Sequence, residues 1–317
     1  MTKICDLLNN TKETHFSIEI LPPVKGDSIA ALYEKINPLM EIGPKFVDVT
    51  YHREEYVYKQ YDNGLLEKRV VRKRPGTVGI CAAIMNKFQV ETVPHIICGG
   101  FSREETENAL IDLNFLGINN VLLLRGDAIK SEQRFSPHPE GHHYAIDLVE
   151  QVKNLNNGKY LDESLKGIAT DFCIGVAGYP EKHFEAPNIS SDLTFLKQKI
   201  NAGARYIVTQ MFFDNSKYFK FVEKCRDAGI TVPIIPGLKP FVNLRQLISL
   251  PSFFHIDIPE DLHSEVMSCK RPEDVREVGT HWCIQQSKEL KEAGVPCLHY
   301  YSMGKSDNIE MIAKTIF

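Results

Sequence analysis

A carboxylate interrupts the first apolar run of the chain. In "HFSIEILPP" (15–23), Ile18, Ile20 and Leu21 are strand formers and Pro22–Pro23 end the run, yet Glu19 stands among them. An unpaired buried charge is costly, so Glu19 either faces water at a sheet edge or is there for chemistry. Other polar groups fall at the ends of comparable runs: Thr50 with Tyr51, His95, Arg125 with Asp127, Tyr179, Gln210 and Ser302. The set is rich in hydrogen-bonding groups. It offers no His/Asp/Glu spacing for a metal and no Ser-His-Asp or Cys-His pairing. Such a set suits a large, polar, partly aromatic ligand. Taken singly, each has a structural alternative. Thr50, Tyr179 and Gln210 read as ordinary strand ends, His95 as a satisfied core histidine, and "LRGD" (124–127) as a strand stop turning on Gly126.

These groups need a frame that gathers strand ends at one place. Eight short apolar runs recur: 15–21, 46–51, 93–99, 120–126, 172–180, 206–213, 232–238 and 297–303. Amphipathic stretches separate them. "SREETENALIDLNFLG" (102–117) opens with a Ser102/Glu105 capping box and closes on Gly117, and 190–203, 215–229 and 271–294 are framed in similar ways. Continuous strands alternating with helices predict a parallel sheet covered by helices, and eight of them predict an α/β (β/α)8 TIM-type barrel. A doubly wound open sheet is the alternative, but no G-x-G-x-x-G follows the first strand. With no linker-like segment, 1–317 reads as a single catalytic domain, 1–13 being an N-terminal extension or helix. Insertions are expected after strands two and four.

Composition narrows the partners. The 317 residues are 43% hydrophobic and 25% charged with a formal net charge of −4, which gives no electrostatic case for nucleic acid or anionic membrane. No apolar run of membrane-spanning length and no signal-peptide core is present, so a cytoplasmic protein is expected. The eight cysteines are scattered without a C-x-x-C pair and read as buried free thiols.

Seven blocks occur in order: "FSIEILPP", "KFVDVTY", "PHIIC", "LLLRGD", "GVAGYPEKH", "DLTFLKQKINAGARYIVTQMFFD" and "IIPGLKP". Together they closely resemble the catalytic barrel of methylenetetrahydrofolate reductase. The resemblance implies a FAD flavoprotein that passes a hydride from NADH or NADPH to 5,10-methylenetetrahydrofolate by a ping-pong route. Glu19 then matches the general acid that opens the folate ring to an iminium, and Asp127 an acidic residue near flavin and pterin. Thr50, Tyr51, His95, Arg125, Gly126, Tyr144, Ala145, Tyr179, His183, Asp192 and Lys199 match cofactor contacts. Gln210 and Gln246 match folate contacts, with Lys305 in the place of an arginine. A homo-oligomer is plausible by resemblance. The chain ends about where the barrel does, so the regulatory domain of longer members is expected to be absent. Two alternatives stay open: a folate- and flavin-binding subunit that takes electrons from a partner, and another flavin-dependent barrel oxidoreductase.

Several positions depart from the bacterial pattern. Phe195 and Gln198 replace polar cofactor contacts, and Leu250 stands where some members place a Phe over the substrate. The connection 52–76 is long and carries Lys68, Arg69, Arg72, Lys73 and Arg74. It reads as a solvated face, or as an attractor for dinucleotide phosphates, a folate polyglutamate tail or an acidic neighbouring subunit. His138, His142 and His143 read as exposed loop rather than as a metal tract.

Overall fold

All eight apolar runs become strands of one closed barrel in the computed structural model, which describes residues 2–128, 132, 134–302 and 306–317. The strands are β1 (His15–Ile20), β2 (Phe46–Val49), then a hairpin of β3 (Glu55–Gln60) and β4 (Leu66–Val71), and β5 (Glu91–Ile97). They continue with β6 (Asn120–Leu124), β7 (Cys173–Gly178), β8 (Tyr206–Met211), β9 (Ile234–Leu238) and β10 (Cys297–Tyr301). The barrel order is β1-β10-β9-β8-β7-β6-β5-β2, every neighbouring pair parallel. The helices are α1 (Ile4–Asn9), α2 (Ile29–Ile42), α3 (Thr77–Phe88), α4 (Arg103–Phe115), α5 (Ala145–Leu155) and α6 (Ile189–Ala202). After them come α7 (Asn215–Asp227), α8 (Gln246–Phe254), α9 (Glu260–Ser268), α10 (Pro272–Glu292) and α11 (Asp307–Ile316). α4 carries the Ser102/Glu105 capping box that the sequence predicts.

The period of two along each strand divides the core. Phe16, Ile18, Ile20, Val47 and Val49 face the helices and join the largest apolar cluster. A separate cluster of Phe46, Val93, Leu122, Tyr206, Val208 and Ile235 fills the barrel, and Ile4, Cys5 and Leu8 of α1 pack against it. The Ile4 N–H donates to Asn120 Oδ1 at the start of β6 (2.9 Å), so the first helix plugs the N-terminal end. Gly175 makes room for Tyr206: a Cβ there would lie 2.2 Å from the Tyr206 ring. The same alternation points Ser17 and Glu19 inward, above the apolar plug.

The long connection after β2 is the antiparallel β3–β4 hairpin, in register from Glu55↔Val71 to Gln60↔Leu66. Tyr58, Leu65, Leu66 and Val70 on it are exposed. Seven of the eight cysteines are buried and Cys269 is partly so, all of them free thiols. His142 departs from the exposed loop expected of its Pro/Gly surroundings. It is buried and shares a hydrogen bond with Gln151 of α5, because the loop before that helix folds back against α4. Among the described residues no group of three His, Cys, Asp or Glu side chains is arranged to hold a metal. Nor is any described helix long and apolar enough to cross a membrane.

Candidate active site

A cleft of about 590 Å³ opens at the carboxyl ends of the barrel strands, within the roughly 300–1,000 Å³ usual for ligand pockets. Its floor is apolar, with Ile97, Leu122, Leu124, Ala177 and Val208, and its walls are polar. Of the residues singled out from sequence, Glu19, Thr50, Tyr51, His95, Arg125, Gly126, Asp127, Tyr179, His183 and Gln210 all line it. They come from six different strands or the turns after them, which only a closed barrel brings together.

The charged side of the cleft is built on β1, β2 and β5. Asp48, fully buried on β2, shares a hydrogen bond with His95 Nε2 at 3.2 Å. The same nitrogen lies 3.7 Å from Glu19 Oε2, within ion-pair range but too long for a hydrogen bond. Burial pushes the Glu19 carboxyl up to about 7, against the pull of His95 and with the push of Asp48. Burial alone would lower the His95 pKa, but the Asp48 hydrogen bond and the two carboxylates raise it. The backbone of Glu19 is fixed too, its carbonyl accepting from Ser302 Oγ at 2.7 Å. An acid that holds its proton near neutral pH can donate that proton to a bound base.

The other groups around the cleft suit an elongated aromatic ligand. Gly126 turns with φ +85°, and a Cβ there would press to 3.3 Å on Ile97, so the chain passes close to the floor. The Arg125 guanidinium pairs with Glu185. Tyr179 meets His183 edge to face at 4.7 Å, and Tyr51 meets Phe101 in the same way at 4.8 Å. Tyr301 donates to the Thr209 carbonyl at 2.6 Å, and Gly237 leaves space for its ring.

Other expected positions stand behind the wall or away from it. Lys199 donates to the carbonyl of Ala177 (3.1 Å), and burial lowers its pKa to about 8. Asp192 accepts from the His183 N–H (2.9 Å). Each thus supports a residue that does line the cleft. Tyr144 is exposed at the N-cap of α5, with Ala145 the first residue of that helix. Gln246 opens α8 and accepts from the Val242 N–H (2.7 Å). Phe195 and Gln198 are exposed on α6. Leu250 is buried in a third apolar cluster, and Phe254, one turn later on α8, reaches the cleft instead. Lys305 lies outside the described residues.

Sequence reasoning passed over Asp48, Lys239, Tyr301, Phe254, His52 and Arg53. Lys73 and Arg74, named there as part of the basic connection, stand with His52 and Arg53 at the rim of the cleft. Asp48 had the same signal as Glu19, a carboxylate inside an apolar run ("FVDV").

Comparison with known proteins places this architecture. The family model described as methylenetetrahydrofolate reductase matches residues 3–316. The 5,10-methylenetetrahydrofolate reductase of Salmonella typhimurium is 30% identical over 305 residues, covering 96% of this chain and 91% of that protein. Methylenetetrahydrofolate reductase (NADH) 1 of Arabidopsis thaliana is 32% identical, covering 95% of this chain and 48% of that one. The chain spans about half the length of the plant and animal relatives it matches (43–48%). A solved structure of an uncharacterized Clostridium thermocellum protein, described as binding two copies of 5-methyl-5,6,7,8-tetrahydrofolic acid, shares the fold. Its TM-score is 0.58 at 15% identity, over 98% of this chain and 97% of that one. With the match running over nearly every residue, this chain belongs to the methylenetetrahydrofolate reductase family.

Proposed function

We propose that the protein reduces 5,10-methylenetetrahydrofolate to 5-methyltetrahydrofolate with NADH or NADPH, through a bound FAD. The observation that carries this reading is Glu19, an inward carboxyl at the base of a polar-walled cleft whose pKa is raised to about 7. Family membership supports the substrate class, and the names of relatives carry both NADH and NADPH, so the donor is left as either.

FAD would supply the relay that takes a hydride from the nicotinamide and hands it to the folate. The residues present fit such a group. The apolar floor and the close-approaching Gly126 backbone accept a planar ring, while Thr50, Tyr51, His95, Arg125, Tyr179 and His183 offer polar contacts along its length. Asp192 and Lys199 hold that wall from behind. Glu19 is the general acid, protonating the folate nitrogen as the ring opens. Asp127 favours the cation that develops there, and Gln210 orients the pterin. Gln246 and Lys305 are carried as folate-side positions by resemblance alone. A single domain and a cytoplasmic setting complete the reading.

The test is anaerobic. Purified protein should carry a flavin that NADH or NADPH bleaches and that methylenetetrahydrofolate then reoxidises. A flavin that takes electrons only from an added partner protein would overturn it.

A further inference from the structure

The β3–β4 hairpin is a sheet of two strands, and β3 has no second neighbour among the described residues. Tyr56, Val57 and Tyr58 are exposed along it, and so are Lys59 and Gln60. The Tyr61 N–H donates to the Leu65 carbonyl at 2.9 Å and closes the ladder at the turn. Backbone direction alternates along an antiparallel strand, so Glu55, Val57 and Lys59 turn their N–H and C=O groups to β4. Tyr56, Tyr58 and Gln60 turn theirs to the open edge. Such an edge is a template for another strand.

The side chains of β3 select which strand. From Glu55 to Lys59 the order is acid, tyrosine, valine, tyrosine, base. Laid antiparallel on a copy of itself with Val57 on the two-fold axis, β3 sets Glu55 opposite Lys59 and Tyr56 opposite Tyr58 on both sides of the axis. That register makes each Tyr56–Tyr58 pair a hydrogen-bonded one, which is what the open edge offers. β4 lacks this property, because the register that sets Glu67 opposite Arg69 puts Lys68 against Lys68. Lys59 lies over the Tyr61 ring at 4.9 Å and has no carboxylate partner among the described residues. Glu55 lines the cleft, where it pairs with Lys73.

We infer that two copies of this chain pair through β3, forming one four-stranded antiparallel sheet across a two-fold axis at Val57. Lys59 of the second copy then stands beside Glu55, so each subunit places a cation next to a residue of the other's cleft wall. The pairing rests on the hairpin alone and holds whatever the cleft binds.

Size-exclusion chromatography with light scattering should give the purified protein twice the mass of one chain, falling toward a single chain on dilution. Tyr58→Pro removes an edge-facing N–H and spares the bonds to β4, so it should give a monomer. Cysteine cross-linking reads the register. On the axis Val57 meets its own copy at about 4.5 Å between Cα atoms, inside the disulfide range. Gln60 stands about 20 Å from its copy along the strands. Diamide should therefore link Val57→Cys into a covalent dimer and leave Gln60→Cys unlinked. The wild type is the control for its own thiols, of which Cys269 alone is not fully buried. A monomer at every concentration, a dimer that survives Tyr58→Pro, or a dimer that does not link through Val57→Cys overturns the pairing.

Discussion

His95 Nε2 stands 3.7 Å from Glu19 Oε2 and 3.2 Å from Asp48 Oδ2, so one imidazole sits between two inward carboxyl groups. The arrangement separates their duties. Asp48 is fully buried and hydrogen-bonded to the ring, whereas Glu19 keeps some exposure to the cleft. Replacing Glu19 by Gln preserves shape and removes the transferable proton. Folate-dependent reoxidation of the flavin should fall by about 10²–10⁴-fold, while reduction of the flavin by the nicotinamide changes only a few-fold. Stopped-flow absorbance of each half-reaction measures both. Equal loss in the two halves of a folded, flavin-loaded variant would remove Glu19 from the role of acid.

The pH dependence follows from the sign of the shift. Burial raises the Glu19 carboxyl to about 7, so its acid form prevails below that value and is lost above it. The folate half-reaction should therefore fall as pH rises through about 7, approaching a tenfold loss per unit on the alkaline side. A limb near pH 4.5, where an unperturbed carboxyl titrates, would show that the cleft leaves Glu19 ionised.

Lys239 offers a way to move that limb. It follows β9, is almost wholly buried, and is pushed down to about 8 by burial while its charge holds the Glu19 pKa lower. Lys239→Met keeps the length of the side chain and deletes the cation. With less stabilisation of its carboxylate, Glu19 should titrate higher, shifting the alkaline limb of the folate half-reaction upward. Removing a buried cation should leave folding stability equal or greater. A pH–rate profile with an unmoved or lowered limb would assign Lys239 to packing alone.

What the sequence made legible depended on how local each signal was. The eight strands were readable because each is a continuous apolar run, buried on both faces. Glu19 was readable because a charge breaks such a run. Lys239 was not, since it lies just beyond a strand in a Pro-flanked turn where charge is ordinary. The β3–β4 hairpin was missed because its strands present no apolar face to the barrel. Its turn was nevertheless written in Asn63–Gly64, with Gly64 at φ +80°. Phe254 and Tyr301 reach the cleft only through the way helix α8 and strand β10 sit in the closed barrel, which no local pattern encodes.

The barrel interior yields the last prediction, one of stability. Tyr206 is fully buried within the lumen, and its hydroxyl is 3.4 Å from the Val121 carbonyl. It occupies the space that a side chain at Gly175 would take. A methyl group there would lie 2.2 Å from the ring, well inside contact distance, and the ring is fully buried. Gly175→Ala should therefore destabilise the fold by about 1–3 kcal/mol or more through overpacking. Urea denaturation followed by far-UV circular dichroism measures the loss. Pairing it with Tyr206→Leu, which vacates the ring, should recover part of the loss, since residues in direct contact are not additive. If the double variant loses the full sum of the two single changes, the clash with Tyr206 is not the cause.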